Sequence, residues 1–87
     1  MPITPLLKVN PRRDRVTREN GCLTATACRP GTPELEAGLE DGLLLSLGNL
    51  RAPAEWVRED VEVVAGVARI RTSTTFILTA RFEEPNV

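Results

Sequence analysis

The chain has 87 residues, enough for one domain that buries only roughly 60–65% of the surface its unfolded form exposes. It contains no His and no Tyr, which removes the commonest general base and the commonest imidazole metal ligand and speaks against an enzyme. The formal charge of -1 conceals an uneven spread: residues 1–20 carry Lys8, Arg12, Arg13, Arg15 and Arg18 against Asp14 and Glu19, while residues 32–62 carry eight acids against Arg51 and Arg58.

Residues 1–20 read as an N-terminal arm or as the first strand or strands, with Pro2, Pro5 and Pro11 beside Arg12, Arg13 and Arg15. They hold no apolar run of the kind a signal peptide needs, and no segment of the chain approaches the roughly 18 apolar residues of a membrane span. Next, Leu23, Ala25 and Ala27 alternate with Thr24, Thr26 and Cys28, the period of two of a half-buried strand. Cys22 and Cys28 lie on that strand about 20 Å apart at roughly 3.3 Å per residue, too far for a disulfide. Two unpaired thiols favour a reducing compartment such as the cytoplasm, and a lone pair at this spacing makes no zinc site.

Thr32 and Pro33 mark a helix start, an N-cap followed by the ring that suits the first helical position. Glu34 and Glu36 favour its positive end, Leu35 and Leu39 share a face, and Gly42 follows where a left-handed cap is wanted. Leu43 to Leu47 is then a short apolar run of core-strand length, which periodicity alone does not distinguish from buried helix.

Residues 51–66 admit two readings. Pro53 as a start, Val57, Val61 and Val64 at i, i+4, i+7, and Gly66 as a stop describe an amphipathic helix. Four valines between Val57 and Val64 equally suit a strand over Val61–Ala65. The helix is the preferred reading. From Val67 to Glu83, Ile70, Thr72, Thr74, Phe76, Leu78, Ala80 and Phe82 occupy one parity, which is β-structure. Unbroken, it would span roughly 55 Å, so a hairpin turning near Thr72-Ser73-Thr74 is expected in a domain this small.

The stretch from Gly21 to Asn49, with Pro30-Gly31-Thr32-Pro33, Ala37-Gly38-Leu39, Gly42 and Leu44-Leu45-Ser46-Leu47-Gly48-Asn49, resembles the PDZ domain, in a reduced or bacterial protease-associated form. The resemblance covers Pro53 to Phe82 loosely and residues 1–20 poorly. It implies an α+β fold, a small partly open β-barrel or sandwich of five to six strands with two short helices, its core at 21–84 and a tail at 85–87. It also implies a non-enzymatic, cofactor-free adaptor or regulatory module that takes up a peptide or a protein C-terminus as an added strand beside the second helix.

Carried over by position, the ligand-facing residues are Leu6, Leu7, Lys8 and Val9 from the first strand and loop, and Ala54, Val57, Arg58 and Val61 from the second helix. The carboxylate-binding loop is degenerate, because Pro5-Leu6-Leu7-Lys8-Val9 has no glycine. Leu7 at a position requiring positive φ would cost on the order of 1–2 kcal/mol. Trp56 is expected in or beside the core rather than as an anchor for ligand. Two other classes are weighed against the peptide module. One is an assembly protein whose groove is degenerate and whose Pro-rich basic arm orders against a second copy. The other is nucleic-acid binding through the arm, disfavoured because two acids dilute its five basic residues and no aromatic lies among them.

Overall fold

The computed structural model describes residues 4–64, 66, 67 and 70–84. Its elements run β1 (Leu6–Lys8), β2 (Arg15–Glu19), β3 (Cys22–Pro30), α1 (Pro33–Glu40), β4 (Leu44–Leu47), β5 (Leu50–Pro53), β6 (Glu55–Val64) and β7 (Ile70–Glu83). Strands take 63% of the described residues and the one helix 10%, so the chain is mostly β. Its two sheets are open, with strand orders β1-β4-β5 and β2-β3-β7-β6. The expected α+β, PDZ-like fold with two helices is therefore overturned.

The middle of the chain folds as its local signals dictate. Extended backbone at Thr32 lets its Oγ1 accept from the Leu35 N–H at 3.1 Å, Pro33 opens α1, and the C-cap falls at Asp41. β3 before the helix and β4 after it are the two strands that flank it in the sequence reading. Asn20 and Gly21 form the two-residue turn between β2 and β3, with φ of 51° and 73°. Positive φ at both central positions is what the type I′ hairpin turn requires, and Asn-Gly supplies it at low cost.

Residues 53–66, preferred as a helix, instead carry strand β6, which pairs with β7 from Glu55↔Thr79 to Val64↔Ile70. Valines at 57, 61 and 64 satisfy a helical wheel, but β-branched side chains also favour the pleated surface, and here a partner strand is available. Ten residue pairs satisfy the facing backbone of both strands, which a helix at this place would leave undone for β7. The turn expected at Thr72-Ser73-Thr74 is absent as well: β7 runs unbroken through 14 residues. The size argument behind that turn assumes a rounded domain, whereas this molecule extends 60 × 35 × 18 Å.

β3 and β7 are the central pair of the larger sheet, in register from Cys22↔Glu83 to Pro30↔Thr75. Ala25 and Ala27 of β3 and Phe76, Leu78, Ala80 and Phe82 of β7 put alternate side chains on one face. The smaller sheet (Leu45, Ala52) and Leu39 of α1 close over that face, and Leu45 and Leu78 are fully buried. Beyond Pro30, β3 stops and the chain turns into α1. Residues 60–64 and 70–74 therefore continue as a two-stranded ribbon, with no third strand among the described residues.

Residues 4–20 are folded into this body rather than left as a free arm. β1 pairs in parallel with β4, and the loop after it is fixed by Asp14, whose side chain is almost wholly buried. Its carboxylate takes both Arg29 nitrogens, Nη1 at 2.7 Å and Nη2 at 2.9 Å, and accepts the Asn10 N–H at 2.9 Å. The Arg29 hydrogen bonds hold the Asp14 carboxyl below the usual carboxylate range against the opposing effect of burial, with the Asn10 N–H adding to them. Pro2 and the tail at 85–87 lie outside the described residues.

Candidate functional site

β6 is the edge strand of the larger sheet: one side is laddered to β7, and among the described residues no strand lies on the other. In an antiparallel ladder alternate residues turn their N–H and C=O groups away from the partner, so one row of β6 backbone groups faces outward. All ten of its residues are exposed. Proteins usually blunt such edges with charge, and Glu55, Arg58, Glu59, Asp60 and Glu62 interrupt the apolar side chains here. Trp56, Val57, Val61, Val63 and Val64 nevertheless remain open, with Val64 at 74% exposure and Ile70 across from it at 69%.

Strand alternation assigns these side chains to two faces. Val57, Val61 and Val63 lie on one; Trp56, Arg58, Asp60, Glu62 and Val64 lie on the other. Trp56 packs edge-to-face against Phe76, ring centroids 5.6 Å apart at 70°, and is still 47% exposed. Between this strand and α1 runs a cleft of about 240 Å³ lined by Glu36, Leu39, Glu40, Trp56, Arg58 and Phe76. Arg58 spans it, donating from Nη1 to Glu36 Oε1 at 3.4 Å and from Nε to Asp60 Oδ1 at 3.2 Å. The Thr74 hydroxyl donates to the same Asp60 oxygen at 2.7 Å, and this bond, with Arg58 behind it, lowers the Asp60 pKa. A chain of polar contacts thus joins helix, edge strand and ribbon.

Of the eight residues expected to face ligand, Val57, Arg58 and Val61 lie on this edge, on a strand rather than a helix. Ala54 precedes it, its N–H bonded to the Leu43 carbonyl at 3.0 Å. Leu6, Leu7 and Lys8 form β1 in the other sheet, paired with Leu44, Leu45 and Ser46. Val9 is buried in the core, its N–H donating to the Ser46 carbonyl at 2.8 Å. The structure thus places the two groups on different sheets. Leu7 bears no strain, since Asn20 alone among the described non-glycine residues has positive φ.

Sequence reasoning gave Glu36 only a role at the positive end of the helix and passed over Glu40, four residues on at the cleft. Trp56 as a half-open wall was legible only once residues 55–64 were placed in a strand. Among the described residues no three His, Cys, Asp or Glu side chains group closely enough to hold a metal ion, and no helix is long and apolar enough to cross a membrane. Cys22 and Cys28 are free thiols, one half-buried and one exposed. Compared with family models, with curated proteins and with solved structures, the chain matches none.

Proposed function

We propose that this protein is a non-enzymatic interaction module that receives an extended segment of another protein as an added strand along β6. The observation that carries this reading is the open β6 edge, ten exposed residues long, with five large apolar side chains at the surface. Main-chain hydrogen bonds to the unpaired row supply affinity in such complexes, and pockets beside the strand select side chains. The pocket here is the cleft between β6 and α1.

The test is selection of binders from a displayed library of random peptides, followed by amide exchange of the complex. Slowed exchange confined to β6, retained when the peptide C-terminus is amidated, supports strand addition. Protection elsewhere, or no change at β6, overturns it, and binding lost on amidation with β6 protected would narrow the ligand to a chain terminus. A second reading has its own support: β2, the opposite edge of the same sheet, carries Arg15 and Arg18, opposite in sign to Glu59, Asp60 and Glu62 of β6. Pairing of these edges between copies would build an assembly, and mass in solution that rises with protein concentration would favour it.

A further inference from the structure

We infer that the segment received by β6 is cationic and that it inserts one lysine or arginine side chain into the cleft between β6 and α1. This assignment rests on the strand-addition reading. A strand laid against the β6 edge directs every second side chain to the face that carries Trp56 and Arg58, the face on which α1 stands. A long side chain from that strand meets the open face of Trp56, with the buried Phe76 behind it, and the carboxylates of Glu36 and Glu40. Glu36 already engages Arg58, whereas Glu40 has no ion-pair partner among the described residues.

The wider field has the same sign. Glu55, Glu59, Asp60 and Glu62 share β6 with Arg58 as their single counter-charge, and Glu34 stands in the first turn of α1. An acidic segment would meet net negative charge along the edge, where the one cation, Arg58, is already held by Glu36 and Asp60, and a purely apolar one would leave Glu40 without a counter-charge. An ammonium or guanidinium group gains both an opposite charge and an aromatic wall, the pairing that cation–π recognition uses. The carbon stem of lysine or arginine covers apolar surface on the way in.

The experiment is the same peptide selection carried out in parallel on the wild-type protein and on the Glu36→Gln/Glu40→Gln double variant, whose folding is checked by circular dichroism. Both positions are exposed on α1, so the variant retains the fold. The expected result is wild-type peptides with Lys or Arg at a fixed position of alternating apolar sequences. Replacing that residue by norleucine should lower affinity about 3- to 10-fold, and the double variant should lose this preference while still binding. Selected peptides without a basic position, or a preference unchanged in the double variant, overturn the cationic assignment and leave strand addition standing. Failure of both proteins to select any peptide overturns strand addition of a foreign segment, and the cationic assignment with it.

Discussion

The two ends of β7 belong to different worlds. From Phe76 onward its alternate residues are buried between β3, α1 and the small sheet; from Ile70 to Ser73 every residue is exposed and, among the described strands, only β6 is beside it. The same strand, with the same alternation, has its side chains buried where neighbours exist and open where they do not. Apolar character in a strand reports what a side chain can bury against, and the fold or a partner decides whether it does.

Core truncation should show the contrast at its largest. Leu78→Ala is expected to destabilise the protein by about 2–5 kcal/mol in urea titration, a large share of the stability of a small domain, whereas Ile70→Ala on the same strand should change it by less than about 0.5 kcal/mol. Equal effects would mean that the ribbon is packed in solution.

Next in size is the tie that holds residues 10–14 to the body. Asp14→Asn leaves Arg29 half-buried without its carboxylate and should cost about 2–3 kcal/mol. Because the folded pKa of Asp14 is lowered, its contribution is present above the unfolded value of about 3.9 and is lost as the pH falls through the folded value. The wild-type protein should therefore lose stability over that acid range, and the difference between it and the variant should shrink there. A constant difference from pH 7 to pH 2 would contradict the ion pair.

Smaller still is the boundary itself. A Cβ at Gly31 would stand 3.0 Å from Thr74 Cγ2 and 3.2 Å from Phe76 Cε2, where the helix lead-in crosses β7. Gly31→Ala should cost about 1–2 kcal/mol by crowding that crossing. Least of all in stability, Val61→Thr on the open edge should stay within about 0.5 kcal/mol of wild type while weakening any strand-adding ligand that lies over it. Its effect on binding and not on unfolding would separate the two regions most sharply.

Residues 22–47 were legible because each signal acts within a few residues: the alternation of β3, the Thr32 cap, Pro33, and the leucines of β4. The Asn20-Gly21 turn carries an equally local signal, at the end of the segment read as an arm or as the first strand or strands, and it decides for strands. The ribbon was hidden for a different reason. Its valines fit both periods, and the deciding fact, a ten-pair ladder to β7, lies in partner availability that no window of sequence contains. Asp14 and Arg29 are 15 residues apart and only the β2–β3 hairpin brings them together. At the candidate site Val57, Arg58 and Val61 were singled out on the wrong element, and the acids of α1 became significant only once β6 stood next to them.

The central pairing also sets the order of events during folding. Three hairpins, β2–β3, β4–β5 and β6–β7, join strands adjacent in the chain and can each form within microseconds. The core needs β3 against β7, and their nearest partners along the chain, Pro30 and Thr75, are 45 residues apart. That closure carries the loop entropy and sets the rate. Until β7 has been made, the apolar face of β3 has no lasting cover, so a growing chain would hold Ala25 and Ala27 open while the roughly 45 residues from Pro30 to Thr75 are added.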